Sequence, residues 1–247
     1  MMNRLMRLLI DNRSIKDEAR RFEVLNADQD EATVYLYDMI VSSKADAEWW
    51  GGVAAETFVK DFTAITAPTI HLRINSPGGD VFAARAMEQA VRAHPSNVIT
   101  HVDGYAASAA TYLALAGDEV EIVDGGFFMI HNSWSIALGN ANDFRKTADL
   151  LDQIDGTIVA TYAKRTGLDE ATLRDMLAAE TWIGAQQAVD EKWADRIAGE
   201  QPKARLNWNV SALMAPPRKP KDSIAPRDDK SYEDARRMLE HLERIAA

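Results

Sequence analysis

Residues 104–110 read Gly-Tyr-Ala-Ala-Ser-Ala-Ala, and they join a predicted strand at 97–102 to a predicted helix at 108–116. Ser108 therefore lies at a strand-to-helix junction, where helical N–H groups and the helix dipole point at its surroundings. The alanines on both sides leave room for close approach of the backbone. The pattern predicts either a serine nucleophile or an N-cap serine in an alanine-rich helix.

Two further segments carry groups that a serine nucleophile needs. Residues 127–132 read Phe-Phe-Met-Ile-His-Asn, which predicts a buried strand with His131 at its end, the edge where the sites of α/β proteins lie. Histidine suits a general base because its pKa is near working pH. Residues 74–79 read Ile-Asn-Ser-Pro-Gly-Gly, a turn whose backbone can present an N–H to a developing negative charge. Each segment alone also suits a structural role, a strand end or a tight turn.

Strands alternate with helices along the chain, which predicts an α/β fold with a largely parallel sheet. Residues 41–52, which include Trp49 and Trp50, are predicted to be a loop. The other predicted strands cover 22–25, 32–37, 69–74 and 119–123, and the other predicted helices cover 53–65, 81–93, 142–165, 168–179 and 185–190.

The longest predicted helix, at 142–165, has one apolar stripe, and Gly167 suits its C-terminal cap. A stripe of this kind is typical of a helix face that is buried. The stripe consists of Phe144, Ala148, Leu151, Ile154, Ile158 and Tyr162.

Composition excludes several classes of function. The chain has no cysteine, so thiol catalysis, disulfides and thiolate metal sites are excluded. Its formal net charge of -10 argues against nucleic acid and anionic membranes as partners. No apolar run reaches the roughly 20 residues of a membrane span. Residues 1–10 are followed by no small-residue cleavage site, so we expect a cytoplasmic protein.

The chain is expected to contain one core domain with extensions at both ends. Residues 1–21 are predicted to be an N-terminal arm and residues 22–200 the domain. Five of the eight prolines lie between Pro202 and Pro226 among clustered basic residues, which predicts a basic linker at 201–230. Residues 231–247 have the apolar spacing of a short amphipathic helical tail.

In this order, the three segments around Gly79, Ser108 and His131 resemble the Clp peptidase (ClpP) family, and the resemblance covers about residues 22–198. It implies a ClpP/crotonase-like fold with flanking helices and a long protruding helix. Ser108 would be the nucleophile and His131 the general base, while the backbone N–H groups of Gly79 and Ala109 would bind the oxyanion. The family also implies protein or peptide substrates, a ring-shaped homo-oligomer, and no cofactor or metal.

The acid of the triad is assigned through the same resemblance. The family has an aspartate just before an aromatic residue, and aligning Trp182 with that aromatic places Glu180 at the acid position. Glutamate is one methylene longer than aspartate and has the same chemistry. Asp175 is the alternative, although it would lie in the middle of a helix.

Residues 78–83 and 180–182 resemble the ClpP-related proteases of tailed bacteriophages and prophages, which cut scaffold and capsid proteins as proheads mature. This favours a head-maturation endopeptidase working in the host cytosol or inside proheads, where the basic tail would dock it. One alternative is a housekeeping proteolytic subunit served by a separate AAA+ ATPase unfoldase. Others are a crotonase-type acyl-CoA enzyme and a non-catalytic assembly protein on the same fold.

Overall fold

A computed structural model describes residues 21–199 of the chain. The predicted linker at 201–230, the predicted tail at 231–247 and all but the last residue of the predicted arm lie outside the described residues. Arg21, the last residue of that arm, begins the first strand.

The elements of the described part alternate between strands and helices as expected. The strands are β1 (Arg21–Leu25), β2 (Glu31–Tyr37), β3 (Ile40–Val41), β4 (Val53–Ala54), β5 (Thr69–Ser76), β6 (Asn97–Ala107), β7 (Glu119–Ile122), β8 (Phe127–Ile130), β9 (Thr181–Gly184) and β10 (Arg196–Ile197). The helices are α1 (Lys44–Trp50), α2 (Ala55–Thr63), α3 (Val81–Arg92), α4 (Ala109–Ala114), α5 (Ala141–Thr166), α6 (Glu170–Ala178) and α7 (Ala185–Asp190).

The main sheet is largely parallel, as predicted. Its order is β1-β2-β5-β6-β7-β10, and only the hairpin of β1 and β2 is antiparallel along this path. Alternate residues of the central strand β5 (Ile70, Leu72 and Ile74) are fully buried, because every second side chain of a strand points to the same face. Parallel strands end at the same edge of a sheet, so the segments that follow β5 and β6 come together there.

Strand β6 is longer than the sequence predicted. The prediction of a strand at 97–102 was too short, because residues 103–107 continue in extended conformation to Ala107. Its first half pairs with β7, and its second half leaves β7 and pairs in parallel with β8. Strand β8 in turn pairs in antiparallel fashion with β9. This branch of the sheet brings residues near 108, 131 and 180 to one place.

The prediction of a loop at 41–52 was wrong, because this segment contains helix α1. The Ser43 hydroxyl accepts a hydrogen bond from the N–H of Asp46 and so caps the helix, and Gly51 ends it with a φ of 76°. Both are ordinary helix-end signals. Strand β10 was also missed, since two residues are too few to show a period of two.

Helix α5 begins with a capping box between Asn140 and Asp143 and ends at Gly167, which has a left-handed φ of 78°. Its apolar stripe is buried only in the C-terminal half, where Ile158 and Tyr162 join the core. Near its start, Phe144 is 51% exposed. Within a single chain the stripe is therefore covered only in its second half, and the helix protrudes with its first half exposed.

Candidate active site

Ser108 occupies the junction between β6 and α4 in a strained backbone conformation. Its φ is 53° and its ψ is -123°, which a non-glycine residue adopts at a cost of about 1–3 kcal/mol. Its N–H donates to the carbonyl of Met129 at 2.7 Å, and the Thr111 hydroxyl donates to the same carbonyl at 2.9 Å. Ser108 holds the N-cap position of α4, as the structural alternative predicted, but its side chain makes no capping hydrogen bond. Strain of this kind concentrates at functional sites.

His131 follows the last residue of β8, as predicted, and its imidazole lies on Ser108. The distance from His131 Nε2 to Ser108 Oγ is 2.8 Å. The pairing of Ala107 with Met129 in neighbouring strands brings Ser108, one residue further on, and His131, two residues further on, to the same edge of the sheet. With the proton of the ring on Nδ1, the serine hydroxyl donates to Nε2, which is the arrangement of a nucleophile and its base.

The environment of His131 pulls its pKa in two directions. Burial lowers the pKa, because the charged imidazolium is poorly solvated there. The negative charges of Glu180 and Asp155 oppose this effect, with Glu180 the stronger of the two. A neutral base flanked by carboxylates suits proton transfer, since the imidazolium is stabilised when it forms.

Glu180 stands between α6 and β9 with a left-handed φ of 52°. The pairing of Ile130 with Thr181 brings it close to His131, where its charge acts. Asp175, the alternative acid, lies exposed within α6. The electrostatics therefore favour Glu180 over Asp175 as the partner of the base.

Sequence reasoning missed Asp155, the second carboxylate that acts on His131. It lies on α5, only 7% exposed, and accepts hydrogen bonds from the side chain of Asn132 at 2.6 Å and the N–H of Ser133 at 2.7 Å. A signal for it was present: Asp155 lies three residues before Ile158 and four after Leu151, on the side of the apolar stripe. A carboxylate at such a position is unexpected unless it has a partner.

The glycine turn at 78–79 packs against both Ser108 and β3. Ile40 donates to the carbonyl of Gly78 at 2.8 Å and accepts from the N–H of Asp80 at 3.0 Å. Gly79 lies between these two bonds, so its own N–H points away from β3. A Cβ at Gly78 would lie 2.4 Å from the carbonyl oxygen of Ala107, and therefore only glycine allows this approach.

Ala109 is the second predicted oxyanion donor. It is the first residue of α4, and the N–H groups of a first helical turn have no acceptor within their helix. Its N–H lies close to the glycine turn, since a Cβ at Gly78 would be 2.8 Å from it. The glycine turn and the start of α4 therefore lie together beside Ser108.

Residues 21–199 contain no cluster of three or more histidine, aspartate or glutamate side chains that could hold a metal ion. Among the helices of the same range, none is both long and apolar enough to cross a membrane.

Comparison with known proteins identifies the family. The family described as Clp protease matches residues 54–201. The chain belongs to the Clp protease family. It is 25% identical over 189 residues to the ATP-dependent Clp protease proteolytic subunit 2 of Treponema denticola, which covers 76% of this chain and 90% of that protein.

Two other relatives match over shorter stretches. The proteolytic subunit 1 of Streptomyces avermitilis is 31% identical over 131 residues, covering 52% of this chain and 60% of the relative. The proteolytic subunit of Ligilactobacillus salivarius is 30% identical over 138 residues, covering 55% and 70%. The predicted Clp family and fold are thus confirmed, and membership of this family implies that the chain is a peptidase.

Proposed function

We propose that this Clp-family chain is a serine endopeptidase whose nucleophile is Ser108. The observation that carries the proposal is the 2.8 Å contact between Ser108 Oγ and His131 Nε2, made by a serine in a strained backbone conformation. A strained serine held against a half-buried histidine has no evident value for stability, whereas both features serve acyl transfer.

The reaction follows from the positions of these groups. His131 Nε2 takes the proton of Ser108 as Oγ attacks the scissile carbonyl carbon, and the carbonyl oxygen becomes an oxyanion. The N–H groups of Gly79 and Ala109 stabilise that oxyanion. His131 then gives its proton to the leaving amine, and the acyl-enzyme forms. Water, activated by the same imidazole, releases the acid and restores Ser108.

Glu180 is the third member of this triad. Its charge is the largest influence that raises the pKa of His131 against the effect of burial. In the reaction it would hold the imidazole in the productive orientation and stabilise the imidazolium. Its left-handed φ, like that of Ser108, is a local cost that a positioned carboxylate explains.

The protein would act as a ring-shaped homo-oligomer on protein or peptide substrates. Exposed apolar side chains support self-association, because a single chain leaves them in water. They are concentrated in the segment after His131 and in the first half of α5: Ile136, Leu138, Phe144 and Leu150.

Head maturation in a tailed phage or prophage is the biological role we favour. It rests on the resemblance of residues 78–83 and 180–182 to the phage proteases. The scaffold and capsid proteins of the prohead would be the substrates, and the work would be done in the bacterial cytosol or within the prohead. The second candidate is a housekeeping proteolytic subunit, which the names of the relatives favour, since they are called ATP-dependent. That role would require an AAA+ unfoldase as partner.

A serine-reactive fluorophosphonate probe tests the catalytic proposal. Size-fractionated oligomer should be labelled at Ser108, and the Ser108→Ala protein should not be labelled and should lose peptide cleavage by several orders of magnitude. Cleavage retained by Ser108→Ala would refute the proposal, and absence of label in the oligomer would favour a non-catalytic assembly role. Stimulation of folded-protein degradation by a Clp ATPase and ATP would select the housekeeping role over head maturation.

A further inference from the structure

The chain that leaves His131 is held at four points although it has no regular secondary structure. Asn132 donates its backbone N–H to the carbonyl of Leu177 on α6 at 3.2 Å and its side-chain amide to Asp155 at 2.6 Å. Ser133 donates its N–H to Asp155 at 2.7 Å and its hydroxyl to the carbonyl of Leu151 on α5 at 3.1 Å. The residue next to the base is thereby fixed between two helices.

Asp155 is the centre of this arrangement. Its two carboxylate oxygens accept from two different donors, one the side-chain amide of Asn132 and the other the backbone of Ser133. Both donors are neutral, and the carboxylate is buried. A buried carboxylate is costly unless it is paired or well hydrogen-bonded, and these two bonds are what allow its charge to remain there.

That charge reaches His131. Burial lowers the pKa of His131, and Asp155 raises it, second to Glu180. The groups that face the imidazole come from three sides: the hydroxyl of Ser108 at the start of α4, Glu180 after α6, and Asp155 on α5.

We propose that Asp155 is a positioning residue for the base: it fixes Asn132 and Ser133 so that the imidazole of His131 stays on Ser108, and its negative charge adds to that of Glu180 in stabilising the imidazolium. This inference rests on the serine-protease function proposed above. Asp155 is not a second triad acid, because both of its oxygens are occupied by Asn132 and Ser133. It acts on the base through the next two residues and through space.

The test is the pH dependence of fluorophosphonate labelling, which reports the base without a natural substrate. Three variants of the full chain are compared with the wild type. Asp155→Asn removes the charge at nearly constant size, and Asn132→Ala removes one of the two bonds and leaves the charge. Asp152→Asn is the matched control, because Asp152 lies exposed one turn earlier on the same helix.

Asp155→Asn should be labelled about 10- to 100-fold more slowly at neutral pH, since small displacements of a catalytic group cost rates of this order. The midpoint of its rate-against-pH curve should also move to lower pH, because removal of a nearby negative charge lowers the pKa of His131. Asn132→Ala should be labelled more slowly without that downward shift. Asp152→Asn should match the wild type in both respects.

An Asp155→Asn protein whose rate-against-pH curve keeps the wild-type midpoint would overturn the inference. This holds if the labelling rate is normal. It also holds if the rate is reduced equally at every pH, because that is the behaviour of a merely structural residue. If Asp155→Asn shows no cooperative unfolding transition, Asn132→Ala decides, and a wild-type rate in that variant would overturn the inference. Failure of the proposed function looks different: the wild type itself would then remain unlabelled at Ser108.

Discussion

Replacing Gly79 with alanine should displace the glycine turn. Gly79 has a φ of 145°, a conformation that residues with a Cβ rarely adopt. The added Cβ would lie 2.0 Å from the carbonyl oxygen of Ile40, which is a backbone atom and cannot rotate away. Either the turn or β3 must move, and the two hydrogen bonds between Ile40 and the turn must lengthen or break.

The cost can be worked from these parts. A disfavoured backbone conformation costs about 1–3 kcal/mol, and each of two lost hydrogen bonds costs about 1 kcal/mol. Gly79→Ala should therefore lower the free energy of unfolding by about 3–5 kcal/mol. It should also move the N–H of Gly79 from the oxyanion, and loss of one such donor costs about 100- to 1,000-fold in rate.

The same chemical change at Gly156 is the matched control. Gly156 lies within α5, and a Cβ there would meet nothing within 4 Å. Alanine is the better helix former, so Gly156→Ala should raise the free energy of unfolding by about 0.5–1 kcal/mol. Urea unfolding of the two variants and the wild type gives the stabilities, and the rate of fluorophosphonate labelling gives the effect on the site.

Two results would refute this reasoning. One is a Gly79→Ala protein that unfolds at the wild-type urea concentration and is labelled at the wild-type rate, which would mean that β3 yields without cost. The other is a Gly156→Ala protein that loses stability, which would mean that the open space around this glycine is filled in the working protein. In that case a second subunit packed on α5 would be the first explanation to examine, by repeating the comparison at several protein concentrations.

Three further predictions concern other carboxylates and the polar face of the sheet. Glu180→Gln should reduce peptide cleavage by up to about 10,000-fold, while Asp175→Asn should leave it unchanged. Equal losses of cleavage in the two variants would contradict the triad assignment. Burial lowers the pKa of His101 from 6.5 to about 4, so the unfolded chain takes up this proton first as the pH falls. Stability is therefore lost as the pH falls from 6.5 toward 4, and His101→Gln should remove that loss when melting is compared at pH 7 and pH 5. Arg73→Ala should cost about 3–5 kcal/mol in urea unfolding, because it leaves the carboxylate of Asp103 buried beside it without its cation, and a cost below 1 kcal/mol would show that water reaches that carboxylate.

Local pattern predicted most of the elements because their residues repeat with a clear period. Burial of one face produces both the alternation of apolar residues in β5 and their 3-4 spacing in the helices. Helix α1 was not predicted because none of its residues is buried, and its sequence therefore has no apolar face with a helical period. Its end signals, Ser43 and Gly51, were the only evidence for it in the sequence, and both are also common in loops.

The candidate site divides in the same way. Ser108, His131 and the glycine turn each sit at the end of a predictable element, so local sequence was enough to find them. Asp155 acts through a contact between α5 and the chain after β8, and nothing local specifies which turn of a long helix faces that chain. The available clue was a polar residue, Asp155, beside the apolar stripe. The position of Asp155 indicates a buried contact only if the whole apolar side of the helix is assumed to be buried.

The register of β8 against β6 is the feature on which the site depends most. Because side chains alternate along a strand, a slip of one residue would turn each side chain of β8 to the opposite face and take His131 from Ser108. Phe128 opposes such a slip, because its fully buried ring, whose centroid lies 6.4 Å from that of Trp193, would lose this packing. The alanines before Ser108 therefore have a second use beyond the space they leave around the nucleophile. Ala107 pairs with Met129 without bulk of its own, and the buried side chains of β8, together with its pairing to β9, oppose a slip.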